Sequence, residues 1–513
     1  MVPQRLLTRV SVGQGQLRLA LRLTRLSELT SLSRRKGSTR FGKDLVLSRK
    51  RVACSISAGA RPPYPMVLCR LAATGCALIL ALALVSVLVT EVGAETAQPL
   101  SASASDPRTL DWMEGAPPPP DKRVMLPESD FFSFPKMRWT VCHIRELLPT
   151  ERVRRSLGAP RTLERALDPK IDAVTFTPLD SDRTMTWGET FAANYTDGLL
   201  ILHAGRIVYE RYAGCLERGG KHAAMSMTKS LTGLLAEILV AEGQLDPDAR
   251  VDHVIPELSG SAFADATVRQ VMDMTTSLDF SEDYADPAAD IWTYSAAASP
   301  WPKPSGYDGP VGYYAYLMTV KKAGEHGARF GYRTVNTDAL GWIIERTTGR
   351  PLTELLSERI WQPLGAEQDA YFTVDAIGTA FAGGGLSAGL RDMASFGDLV
   401  LNGGVIDGKR LFPAEVVASL RAGGDKDAFA KAGYRTLPGA SYRSMWWMLH
   451  NDHGAFAARG VHGQTVYIDP TADMVIARFA SHPNAKNAAI DPTSLPAYHA
   501  VALYLLSKQE TVQ

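Results

Sequence analysis

The sequence predicts an α/β fold: an antiparallel sheet flanked by helices, with a mostly helical subdomain inserted at about 246–395. Three observations carry this expectation. Leu199-Leu200-Ile201-Leu202 and Ile207-Val208-Tyr209-Glu210-Arg211-Tyr212 are apolar-rich runs around a glycine-containing turn, the pattern of a hairpin. Apolar residues at 231, 234, 235, 238 and 239 repeat with the period of a helix that buries one stripe, and Gly243 marks its end. Runs at 444–449, 464–468 and 474–479 read as strands, followed by a helix capped by Ser494 and reaching about Ser507. Strands at both ends of the body with helices between them predict one sheet built from both ends.

Composition bounds the rest. The chain has 513 residues and a formal net charge of +1, which conceals an asymmetry. Of its 55 basic and 54 acidic residues, fifteen and three fall in 1–94, so the remainder carries about −11 and is a poor partner for nucleic acid. Residues 1–65 are Arg- and Ser-rich with only Glu28 and Asp44 as acids, and read as a presequence or an upstream stretch preceding the true start. Met66 then opens an export signal: Arg70, an apolar run over 71–89, and Val92-Gly93-Ala94 as the cleavage site. The expected location is therefore periplasmic or secreted, without stable membrane insertion once the signal is cleaved. The alternative is an inner-membrane anchor at 71–89. Residues 95–125, with Pro117 to Pro120 in a row, read as a stiff extended linker, and 126–513 as the functional domain. The charged stretch from Arg145 to Arg165 reads as helical. Cys142 and Cys215 are the two cysteines of this body, either one disulfide after export or two buried thiols.

The chemistry is expected around Ser226. It opens the helix, where free backbone N–H groups and the positive dipole end favour developing negative charge. Lys229, three residues on, shares its face. Serine becomes a good nucleophile only when a base takes its proton, and a lysine can serve only if burial lowers its pKa. Downstream, Tyr332 precedes the helical pattern Ala339-Leu340-Gly341-Trp342-Ile343-Ile344 and offers a phenol to relay a proton to a leaving group. The long Pro-rich loop from Ser281 to Tyr314 carries Tyr284, Trp292, Tyr294, Trp301 and Tyr307, which either wall a substrate cleft or pack locally.

Ser226-Met227-Thr228-Lys229, Tyr332-Arg333-Thr334, the Gly-rich turn Ala382-Gly383-Gly384-Gly385 and the segment Gly460-Val461-His462-Gly463-Gln464 occur in that order. As a set they resemble the serine β-lactamase and penicillin-binding-protein superfamily, in wording closest to its 6-aminohexanoate-dimer hydrolase branch. The resemblance implies a β-lactamase-like fold and acyl-enzyme hydrolysis of small linear amides or esters. Ser226 would be the nucleophile, Lys229 its base and Tyr332 the proton relay. The oxyanion hole would be the backbone N–H groups of Ser226 and Val461, the latter on an edge strand. Tyr294, Asn336, Gly460 and His462 are the candidate pocket residues, with no metal and no cofactor. Ala458-Arg459-Gly460 stands where the family carries Lys-Thr-Gly or His-x-Gly, so the usual clamp for a lactam carboxylate is missing. A carboxylesterase or weak penicillin-binding hydrolase is the alternative enzyme, and a non-catalytic ligand-binding relative the alternative class.

Three further motifs compete. Gly385-Leu386-Ser387-Ala388-Gly389 spells a nucleophile elbow, but 375–384 is Gly-rich and does not read as the buried strand an elbow needs. Gly403 to Lys409 spells most of a phosphate loop, yet Arg410 replaces its Ser/Thr, and Asp407-Gly408 reads as a hairpin turn. His450 and His453 are a close pair without the additional ligands of a metal centre.

Overall fold

The computed structural model describes residues 98–126 and 130–510. The stretch 1–65 and the signal or anchor at 66–94 lie outside the described residues.

Seven strands form the main sheet: β1 (Thr196–His203), β2 (Arg206–Tyr212), β3 (Ser441–Arg443), β4 (Trp446–Met448), β5 (Phe456–Arg459), β6 (Thr465–Asp469) and β7 (Met474–Ala480). Their order is β3-β4-β5-β6-β7-β1-β2, with every neighbouring pair antiparallel. The late strand β7 pairs with the early strand β1, so the two ends of the body meet inside one sheet. The β1–β2 turn is Ala204-Gly205, both at positive φ (48° and 72°), as a tight two-residue hairpin requires.

Four long helices position the site: α1 (Met227–Ala241), α2 (Val335–Thr348), α3 (Leu390–Leu401) and α4 (Asp491–Glu510). Side chains alternate across a strand, and β1 uses both faces. Leu200 and Leu202 enter a core shared with Phe396 and Leu399 of α3. Leu199 and Ile201 enter a second core with Tyr498 and Val501 of α4. A strand covered on both sides reads as a continuous apolar run, which is why this element is plain in the sequence.

Several expectations are corrected. Helix α1 is buried all round, from Met227 to Leu239, rather than on one stripe. A Cβ at Gly233 would stand 2.0 Å from the carbonyl oxygen of Ser444, so only glycine lets α1 approach the β3–β4 turn this closely. Ser444 and Met445, expected in a strand, form that turn at positive φ. Within the mostly helical insertion, Ala370–Thr373 and Leu386–Ala388 are strands that join Thr150–Val153 and His222–Ala223 in a four-stranded sheet. The 145–165 stretch supplies that strand and only one short helix, Ile144–Leu147. The Pro-rich stretch is held against the body: Leu100 O accepts from Tyr195 at 2.7 Å, and Ala102 O accepts from buried Arg138. Cys142 and Cys215 are joined in a disulfide.

Candidate active site

Ser226 stands at a break between two regular elements. Strand His222–Ala223 is paired with Leu386–Ala388, Met225 takes a left-handed φ of 47°, and α1 begins directly after Ser226. A non-glycine residue held in that conformation is strained, and surrounding contacts must hold it there. The turn places the Ser226 hydroxyl at the helix start.

Lys229 is 1% exposed. Its Nζ lies 3.0 Å from Ser226 Oγ, 3.1 Å from Thr334 Oγ1 and 2.5 Å from the carbonyl oxygen of Gly383. Burial lowers its pKa to about 8, against the opposing pull of the Glu282 and Asp338 charges. A neutral amine has two N–H donors and one lone pair. The Gly383 carbonyl can only accept. Thr334 Oγ1 gives its own proton to Glu282 at 2.6 Å, so toward Lys229 it too acts as an acceptor. Both donors are thus engaged, and the lone pair is left for the Ser226 hydroxyl.

Tyr332 completes the cluster, its ring centroid 5.2 Å from Lys229 Nζ. Burial, then the charge of Glu282, pushes its phenol well above the ordinary value, while the Ser226 hydroxyl pulls the other way by hydrogen bonding. Above about pH 8 this environment holds a neutral amine, able to accept a proton, beside a phenol that keeps its own. Two groups pushed apart in this way can divide the base and acid roles of an acyl transfer.

Behind the amine, Asp338 accepts from Tyr294 Oη and, at 3.1 Å, from the backbone N–H of Gly383. Burial raises its carboxyl to about 7. A Cβ at Gly383 would be 2.5 Å from a Thr334 methyl carbon, so glycine is needed to bring this carbonyl to Lys229.

The segment expected to be a strand at 460–464 is a turn instead. β5 ends at Arg459, and Val461–Gly463 form a short 3-10 turn with His462 at φ 62°. Strand β5 is also internal, between β4 and β6, not an edge. Gly460 packs on the nucleophile turn, since a Cβ there would stand 3.0 Å from both Ala224 O and Ser226 N. Among the described residues, neither the Ser226 nor the Val461 backbone N–H donates to another protein group.

Two cavities open on the cluster. The smaller, about 770 Å³, is lined by Tyr332, Arg333, Glu282, Arg459 and Gly460. The larger, about 1380 Å³, is lined by Ser226, Tyr294, His462 and the loop aromatics Tyr284, Trp292 and Trp301. Tyr284, Val461, Ala485 and Lys486 line both. Tyr307 lines neither; its hydroxyl donates to Pro310 O. His462 Nδ1 faces the His482 carbonyl at 2.7 Å, and burial lowers its pKa to about 4, so the ring is neutral. Asn336 does not reach the site. It is buried in α2, accepts from Thr276 and donates to Arg333 O, because it points one turn away from Tyr332.

The rival motifs resolve. Ser387 is 1% exposed, within a strand paired on both sides, not on a strand-to-helix elbow. Val405–Ile406 and Lys409–Arg410 form the small hairpin around Asp407-Gly408. His453 pairs with Asp469, and His450 with Ser441. Sequence reasoning missed Thr334, Glu282, Asp338 and Gly383. Thr334 and Gly383 were inside recognised motifs, and Glu282 lies at the start of the 281–314 stretch, just after Ser281.

A hydroxyl at a helix start, a buried amine and a phenol, set against an all-antiparallel sheet with helices on both faces, define a serine hydrolase of the β-lactamase-like fold. Residues 193–496 match the Beta-lactamase family, and the chain belongs to it. Over 353 residues it is 36% identical to 6-aminohexanoate-dimer hydrolase of Paenarthrobacter ureafaciens, spanning 68% of this chain and 86% of that one. A solved structure from Bacillus anthracis, provisionally named as a 6-aminohexanoate-dimer hydrolase, is 31% identical with a TM-score of 0.69, covering 76% of this chain and 99% of the other. Lovastatin esterase of Penicillium rubens is 26% identical over 203 residues, 34% of this chain and 49% of that one. The fold class, the family and the serine-hydrolase character expected from the motifs all stand.

Proposed function

We propose that this protein hydrolyses small linear amides or esters through an acyl-enzyme on Ser226, in the manner of a 6-aminohexanoate-oligomer hydrolase. The observation that carries the reading is the Lys229 amine, 3.0 Å from Ser226 Oγ, buried, and shifted to about 8. Ser226 Oγ attacks the carbonyl carbon while Lys229 takes its proton. The oxyanion forms against the N–H groups of Ser226 and Val461, donors of a kind worth about 3 kcal/mol each. As the C–N or C–O bond breaks, Tyr332 gives its proton to the leaving group and recovers one from Lys229. Water then adds to the acyl carbon with Lys229 again as base, releasing the acid and free Ser226. No cofactor takes part.

Arg459, at the position of the family's third motif, is paired with Asp491. That neutralised cation supports an open amide or ester over a β-lactam. Export is proposed from the Met66–Ala94 signal, supported by a disulfide that an oxidising compartment maintains. N-terminal sequencing of the mature protein tests this, with Glu95 as the expected first residue.

Fluorophosphonate treatment followed by peptide mapping tests the catalytic reading. Label on Ser226, abolished by Ser226→Ala, is expected. Label on Ser387, or none, would overturn it.

A further inference from the structure

The roles of Ser226 and Tyr332 proposed above, on which this inference rests, also fix how a substrate lies. Ser226 lines the larger cavity and Tyr332 the smaller. The acyl chain therefore occupies the larger cavity, and the leaving amine departs through the smaller one, where its proton donor stands.

The two cavities differ in chemistry. Aromatic rings from Phe131, Phe132, Phe134, Trp292, Trp301 and Phe381 wall the acyl side. None of its described lining residues is Asp or Glu, and Lys486, which it shares with the smaller cavity, is paired with Asp283 at 3.1 Å. Burial lowers the pKa of both of its histidines, His462 and His482. An ammonium at the end of an acyl chain would lose hydration there and find no counter-charge. Phe131, Phe132 and Phe134 belong to a segment N-terminal to the residues matched by the family.

On the leaving side, Arg459 is paired with Asp491. Arg333 is not: among the described residues it forms no ion pair, its Nη1 donates to Tyr332 O at 3.0 Å, and its Nε is buried with no acceptor. A guanidinium beside the departing amine is suited to receive a planar carboxylate through two parallel hydrogen bonds.

We propose that the substrate is an N-acyl amino acid: an uncharged apolar acyl chain in the aromatic cavity, and a leaving amine whose carboxylate is received by Arg333. Hydrolysis breaks its C–N bond, water supplies hydroxyl to the acyl carbon and a proton to the amine, and a free acid and an amino acid result.

The full chain should be assayed on N-hexanoyl-6-aminohexanoate, N-hexyl hexanamide and 6-aminohexanoyl-6-aminohexanoate. The first should have the highest kcat/KM, by about tenfold or more over each of the others, the worth of one charge-assisted contact or one unpaired charge. Arg333→Gln should shrink the preference for the carboxylated over the neutral amide, chiefly through KM, and Arg333→Lys should restore part of it. Equal rates on all three amides in the unsubstituted enzyme, or an undiminished preference in a folded Arg333→Gln variant, would overturn the assignment. Fluorophosphonate labelling separates the two failures. Labelled Ser226 without discrimination defeats the substrate assignment alone; unlabelled Ser226 defeats the catalytic reading beneath it.

Discussion

Thr334 gives both its backbone N–H and its hydroxyl to the carboxylate of Glu282, at 2.5 and 2.6 Å. Glu282 thereby fixes which way the Thr334 hydroxyl faces, and so directs one of the Lys229 N–H groups. Its charge acts on the same amine, opposing the lowering that burial imposes.

The first prediction concerns pH. Lys229 must be neutral to take the serine proton, and its pKa is lowered to about 8. The value of kcat/KM should therefore rise with pH and level off above about 8, falling roughly tenfold per unit below it. Glu282 favours the charged amine, so Glu282→Gln should move this limb to lower pH, by about one unit for a close charge. A pH–rate profile of both proteins checks it; a limb that moves upward would refute the electrostatic account.

The site was legible where it is local and opaque where it depends on packing. Ser226 and Lys229 are one helical turn apart, so spacing alone brings them together. Glu282 reaches Thr334 across 52 residues, and the stretch expected as a long loop instead holds the helices Asp290–Ala298 and Tyr313–Leu317. Asn336 misled because it lies so near Tyr332 in the chain, yet α2 turns it toward Thr276. The main sheet was readable because both its faces are apolar. The four-stranded sheet was not, because its strands are two to four residues long and come from three distant regions of the chain. The run 460–464 fails as a strand at His462, whose φ of 62° no strand accommodates.

A second prediction follows from Gly460. Its φ of −135° suits any residue, so alanine there strains nothing in the backbone. The added Cβ would instead stand 3.0 Å from Ser226 N, pressing on the N–H proposed to hold the oxyanion. Gly460→Ala should lower kcat by about tenfold to a hundredfold, less than outright loss of an oxyanion donor, with the unfolding temperature nearly unchanged. Steady-state kinetics alongside thermal unfolding check it; an unchanged kcat would remove Ser226 N from the oxyanion hole.

The third prediction tests the N-terminal wall. The Cys142–Cys215 disulfide closes a loop with a sequence separation of 73. Tying a loop of that length restricts the unfolded chain by about 4 kcal/mol in the chain-entropy account. Replacing both cysteines by serine should lower stability by up to about that amount. Cys142 lies between Met137 and Ile144, both of which line the acyl cavity. Its release should also raise KM for amides with apolar acyl chains, while fluorophosphonate labelling of Ser226 persists because the Ser226–Lys229 pair lies within one helix turn. Denaturant unfolding with and without reductant, compared with the double variant, checks the stability term. If reduction leaves both stability and KM unchanged, the bond does not hold this wall in place.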